Sequence, residues 1–238
     1  MFVHGWWGGP WVWQHFQPYF SALGYDCQVM DFGDCNGRGG KSNGDTFTSR
    51  YQQVLERVRS LEHPVVIGHS AGGLLAQKLV EEVDLPAVVL LGSAAPRGIF
   101  PVRTGPLMRA AIRNAPTFLL RRPFLPSRKD MYSLNLNLLQ PDQQDWIYDR
   151  MVPVSPQEAF EVIFSGVPVR ASRVRTPMLV LSGAEDRLTP PSVARAIGRK
   201  YGADYLEFPD HAHYLMWEHN WQEIADEIGR WLKRVTPA

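Results

Sequence analysis

Cysteine is nearly absent from this chain: Cys27 and Cys35 are the only two among 238 residues. Two thiols cannot build a disulfide framework, so a reduced, cytoplasmic setting is expected. Long hydrophobic runs are lacking as well. The sequence has no stretch of about 18 uncharged apolar residues, which argues against a spanning helix and against stable membrane insertion. Its start, Met1-Phe2-Val3-His4, lacks the basic-then-apolar layout of a signal peptide. Neither sign of charge dominates, with 25 Lys and Arg against 24 Asp and Glu, so nothing global points to nucleic acid as a partner. Repeats and low-complexity tracts are missing too. His211, His213 and Asp210 could pair on a metal, but no further cluster offers a third and fourth ligand at recognisable spacing, and no metal is expected. The glycines of Gly37-Arg38-Gly39-Gly40-Lys41-Ser42 do not follow the spacing of a phosphate-cradling loop, so no nucleotide or dinucleotide cofactor is expected.

What is present is an alternation. Short β-rich runs stand at Tyr25 to Phe32, Pro64 to Gly68, Pro86 to Gly92, Pro177 to Gly183 and Asp204 to Phe208. Amphipathic stretches at about Trp11 to Leu23, Thr46 to Leu61, Gly72 to Val83, Pro191 to Tyr201 and Trp221 to Val235 separate them. Such alternation predicts an α/β fold with a doubly wound, mostly parallel sheet. The pattern breaks after Ser93. From about Arg97 to Arg175 come short apolar bursts, many prolines and arginines, and no convincing strand. The expected organisation is a core of residues 1–96 and 176–238 with a helical cap insertion at 97–175, and such insertions often cover a site. Residues 97–176 carry twelve Lys and Arg against six Asp and Glu, a basic surplus suited to anionic substrates or lipid headgroups, or simply to a solvated face.

Chemistry is concentrated at Gly68-His69-Ser70-Ala71-Gly72, between the apolar run Pro64 to Ile67 and the helical stretch from Gly73. In a Gly-x-Ser-x-Gly turn this tight, the flanking positions cannot carry a large Cβ, and the serine hydroxyl is thrust out at a helix N-terminus. Ser70 is therefore the candidate nucleophile. A serine hydroxyl needs a base within reach, itself oriented by a carboxylate. Asp186 follows the apolar run Met178 to Leu181 and is the favoured acid, with its neighbour Glu185 as the alternative. Twenty-seven residues beyond Asp186, His213 directly precedes the apolar segment Tyr214-Leu215-Met216-Trp217 and is preferred over His211 as the base. His69 reads as a structural neighbour inside the turn, and His4 as a packing residue.

The order Ser70, Asp186, His213, together with the strand–turn–helix setting of the serine, resembles the α/β-hydrolase superfamily over nearly the whole chain. The opening Phe2-Val3-His4-Gly5-Trp6-Trp7-Gly8-Gly9 is similar to that family's His-Gly loop after its third strand. The resemblance implies that the backbone amides of Trp6 and Ala71 form an oxyanion hole, each such donor being typically worth about 3 kcal/mol in the transition state. Members of the family commonly begin with two further strands, whereas only Met1 to Val3 precede His4 here, so either a smaller sheet of about six strands or a trimmed start is expected. A serine at the turn favours acyl transfer, since the family's dehalogenases and epoxide hydrolases use an aspartate there. A carboxylesterase acting on small to medium apolar esters is the expectation. Lipase, lactonase and thioesterase chemistry use the same groups, and a hydroxynitrile lyase, a carbon–carbon hydrolase or a non-catalytic receptor could share the fold. Trp7, Phe100, Met108, Phe124 and Leu125 are the candidate pocket residues.

Overall fold

The computed structural model describes residues 1–33, 45–100 and 105–236. Cys35 and the glycine-rich stretch 37–42 lie outside them. The chain begins with strand β1 (Phe2–Val3), passes a 3-10 turn at Pro10–Trp13 and helix α1 (Phe16–Ala22), and later enters α2 (Phe47–Arg59). Thr46 starts α2 as sequence predicts: its Oγ1 accepts from the Ser49 amide while the Ser49 hydroxyl accepts from the Thr46 amide, satisfying two donors at the helix end. Strand β2 (Val66–His69), α3 (Ala71–Leu79) and β3 (Val88–Leu91) follow. Four helices then intervene, α4 (Gly105–Leu119), α5 (Arg128–Leu134), α6 (Pro141–Tyr148) and α7 (Pro156–Phe160), the last running into a π-helical turn at Glu161–Ser165. The chain returns to the sheet with β4 (Met178–Gly183), α8 (Pro191–Tyr201), β5 (Asp204–Phe208) and α9 (Trp221–Val235).

The five strands pair in parallel in the order β1-β2-β3-β4-β5. Burial on both faces explains why β1 to β4 are almost continuously apolar rather than alternating, whereas β5 at the sheet edge is exposed or half-buried. Successive residues nevertheless serve different faces. Phe2, Ile67, Val89, Leu91, Leu179 and Leu181 pack with α1 and α9, whereas Val3, Val66, Val88, Leu90 and Val180 pack with α2, α3 and α8. Helices on both sides make the sheet doubly wound.

Among the described residues the sheet has five strands, where about six were expected. The run Tyr25 to Phe32 contributes one parallel bridge, Val29 to Phe2, with Phe2 N donating to Gln28 O and Met30 N to Phe2 O. Its partner β1 is only two residues long, so no ladder can extend from that contact. The expected helix at Trp11 to Leu23 is likewise split into a 3-10 turn and α1. Among the described residues no helix is long and apolar enough to cross a membrane.

Candidate active site

Ser70 stands between the end of β2 and the first turn of α3 with φ +54° and ψ −120°. A side-chain-bearing residue held there stores roughly 1–3 kcal/mol of backbone strain, which its surroundings must override. They do so with a fixed set of bonds. Ser70 N donates to Leu91 O at 3.0 Å, and Ser70 O accepts from Gly73 N at 3.0 Å and Ala94 N at 2.9 Å. The flanking glycines are required by contact: a Cβ at Gly68 would lie 2.5 Å from Gly72 O, and one at Gly72 would lie 2.3 Å from Val3 O. The turn is thus wedged between α3 and the end of β1.

Asp186 and His213 come from loops after β4 and β5, on the same carboxyl rim of the sheet. This is where open α/β sheets bind their ligands. His213 Nδ1 lies 2.8 Å from Asp186 Oδ2, with both side chains fully enclosed. Asp186 Oδ1 accepts from the amides of Leu188 at 2.9 Å and Thr189 at 2.8 Å, leaving Oδ2 aimed at the imidazole. A carboxylate accepts only, so Nδ1 carries the proton and Nε2 is left as the basic nitrogen. Among the described residues no hydrogen bond joins Nε2 to Ser70 Oγ, a contact that often tightens only with substrate bound. Glu185, the alternative acid, instead lends its carbonyl to Asn137. His211 packs its ring on Phe208 and takes no part in this arrangement.

Thr189 was not singled out by sequence. Its Oγ1 is 2.7 Å from Asp186 Oδ2, 2.9 Å from Gly92 O and 3.2 Å from His213 Nδ1. The one available signal was spacing: Asp186-x-x-Thr189 is an acid turning back on its own following amides. Glu218 was also missed. Its carboxylate accepts from Ala212 N at 2.6 Å and Tyr214 N at 2.9 Å, the amides on either side of His213. Burial pushes its carboxyl up to about 7, against the pull of those two amides. His69 donates Nε2–H to His213 O at 3.0 Å, and burial, with His213 beside it, holds its pKa well below the ordinary value. It stays neutral, in keeping with a structural role.

The loop after β1 meets the serine turn directly. A Cβ at Gly5 would stand 2.6 Å from Ser70 Cβ and 3.3 Å from Ala71 N, so Trp6 enters beside the two residues expected to flank an oxyanion. The two tryptophans then reach outward to the helical insertion. Trp6 donates its indole hydrogen to Glu158 Oε1 at 2.8 Å, while Glu158 Oε2 accepts from Arg50 Nε at 2.8 Å. Glu158 is 2% exposed, and burial raises its pKa from the ordinary value even though Arg50 and Trp6 pull the other way. Trp7, at φ +61°, donates to Phe124 O at 2.9 Å and packs edge-on against the Phe124 ring.

The pocket candidates divide. Phe124 and Trp7 are closed into the core, and Leu125 and Met108 are half-buried. Phe100 is 85% exposed, which corrects the expectation that it lines an enclosed pocket: it stands in solvent. Among the described residues no group of three His, Cys, Asp or Glu side chains is gathered as metal ligands would be.

Known structures share this architecture. Polyneuridine aldehyde esterase superposes with a TM-score of 0.73 at 17% identity, covering 97% of each chain. Tomato methylketone synthase I, solved with 2-tridecanone, gives 0.74 at 14% identity over 98% of this chain and 97% of its own. The esterase EaEST from Exiguobacterium antarcticum gives 0.73 at 17% identity over 98% of this chain and 90% of its own. No curated protein sequence matches this chain. Residues 1–227 match the alpha/beta hydrolase family, and with a parallel sheet, a strained serine turn and an acid–histidine pair on its carboxyl rim, the chain belongs to that family.

Proposed function

We propose that the chain is a serine hydrolase that cleaves carboxylic esters through an acyl-Ser70 intermediate. The observation that carries this reading is the enclosed 2.8 Å bond between Asp186 Oδ2 and His213 Nδ1, on the rim that also bears Ser70. His213 Nε2 takes the Ser70 hydroxyl proton as Oγ attacks the ester carbonyl carbon, and Asp186 stabilises the imidazolium that forms. The carbonyl oxygen, now negative, is held by the amides of Trp6 and Ala71. Collapse breaks the bond to the alkoxy group, which leaves as the alcohol with the proton from His213. Water, deprotonated by the same nitrogen, then releases the acid and restores Ser70. No cofactor enters this cycle.

Residues 97–175 act in this reading as a helical cap over the rim, supported by the bonds from Trp6 and Trp7 to Glu158 and Phe124. The apolar side chains near that junction suit small to medium apolar esters. A fluorophosphonate probe tests the nucleophile: labelling is expected in the native chain, absent in Ser70→Ala and slowed at least roughly a thousandfold in His213→Ala. Folded protein that resists labelling overturns the reading in favour of ligand binding without turnover. Matched ester, lactone and thioester series, run beside Ser70→Ala, separate the acyl-transfer chemistries from one another.

A further inference from the structure

The proposed reaction makes no use of the arginine surplus in residues 97–176, nor of the apolar side chains that this segment turns outward. On α4, Arg109, Ile112, Arg113, Pro116 and Leu119 recur at helical spacing on one face, and Leu120 extends it past the helix end. All six are exposed, Leu119 at 82% and Ile112 at 69%. The inward side of the helix holds the buried Ala110 and the half-buried Asn114 and Phe118, so the large aliphatic side chains of the outer face have no partner on it. The Phe118 ring in turn lies 5.7 Å from Phe164, which stacks at 5.4 Å on Phe160. Phe160, Ile163 and Phe164 share the face of α7 and its π-helical turn, and all are exposed. Phe118 thus links the apolar side chains of α7 and its π-helical turn to α4.

Basic groups border it. Residues 105–122 hold Arg109, Arg113, Arg121 and Arg122 with no Asp or Glu. Arg113 pairs with Asp130 on α5, and Arg97 donates to Ser165 O at 2.9 Å, next to Phe164. We propose that this face docks on a lipid surface bearing anionic headgroups, with the Leu119–Leu120 and Phe160–Phe164 side chains entering the acyl boundary. Apolar side chains that project this far fit insertion into a fluid interface, and the flanking guanidiniums sit where phosphate headgroups would meet them. A second copy of the chain is the poorer occupant. A symmetric contact would bring Arg109, Arg121 and Arg122 of both copies face to face.

The proposal is independent of the catalytic reading, and its test is sedimentation of the full chain with vesicles. Binding is expected to vesicles of phosphatidylcholine with about 30% phosphatidylglycerol, to be about tenfold weaker without the anionic lipid, and to weaken with salt. The double variant Leu119→Ser/Leu120→Ser should lose about tenfold or more in partitioning, as should Arg121→Glu/Arg122→Glu on the anionic vesicles. These side chains are exposed, so circular dichroism should not change, and Ser70→Ala should bind like the native chain. The proposal is overturned by an absence of sedimentation with either vesicle, by leucine variants that bind undiminished, or by a concentration-dependent dimer that Leu119→Ser/Leu120→Ser abolishes.

Discussion

The indole of Trp6 donates to the carboxylate of Glu158 across 2.8 Å, tying the loop after β1 to a helix 152 residues further along the chain. The same carboxylate holds Arg50 of α2, so core, insertion and the loop that abuts Ser70 meet at one buried acid. The position of the Trp6 amide is coupled through this acid to the position of the insertion.

Replacing Glu158 by Gln removes the carboxylate that lies 2.8 Å from the largely buried Arg50 guanidinium. Stability is expected to fall by roughly 3 kcal/mol, because breaking a buried pair exposes the cost of the remaining ion. Trp6→Phe removes the indole donor and part of the ring that packs on Trp7 while leaving the Arg50–Glu158 pair, and should cost less, about 1–2 kcal/mol. Urea unfolding of both variants checks the ranking, and equal losses would contradict it.

Thr189→Val keeps the side-chain shape while removing the hydroxyl that touches Asp186, Gly92 and His213. Turnover of a p-nitrophenyl ester is expected to drop about tenfold with KM little changed, the effect of one lost bond on an orienting carboxylate. An unaltered kcat would show that the two amides on Oδ1 suffice to aim Asp186.

Glu218 gives stability a pH dependence with a definite sign. Its carboxyl ordinarily titrates at 4.5 and is pushed by burial up to about 7, so between these values the folded chain binds more protons than the unfolded one. Its contribution is therefore full below pH 4.5 and is lost as pH rises through about 7. The loss amounts to about 3 kcal/mol. Glu218→Gln has no charge to titrate, so its stability should decline less between pH 5 and pH 8, as followed by urea unfolding at several pH values (roughly the span over which the shifted group changes state). Parallel profiles for the two proteins would remove Glu218 as the source.

Gly72→Ala sets a methyl against Val3 O, 2.3 Å away within a paired strand. Backbone held by a ladder cannot retreat cheaply, so a loss of about 2 kcal/mol or more is expected. The thermal midpoint should fall by roughly 5 °C. A calorimetric scan that superimposes on the native one would show that the serine turn can move away from β1.

Sequence alone determined the elements whose signal is local. The apolar runs ending at Gly68, Leu91 and Gly183 read as buried parallel strands because both of their faces are covered; the candidates Ser70 and Asp186 stood out by following such runs, and His213 by preceding the apolar segment Tyr214 to Trp217. The sixth strand was overread, since Tyr25 to Phe32 has β propensity but only a two-residue partner, and pairing length belongs to the partner rather than to the run. The sequence preferred His213 over His211 and Asp186 over Glu185, but only folding brings the His213 and Asp186 side chains within 2.8 Å of each other. Folding also set Thr189 and Glu218 about Asp186 and His213, and Glu158 with Arg50 beside Trp6. A hydrogen bond across 152 residues leaves no periodicity to read, and a buried carboxylate is chosen by the donors that folding brings to it.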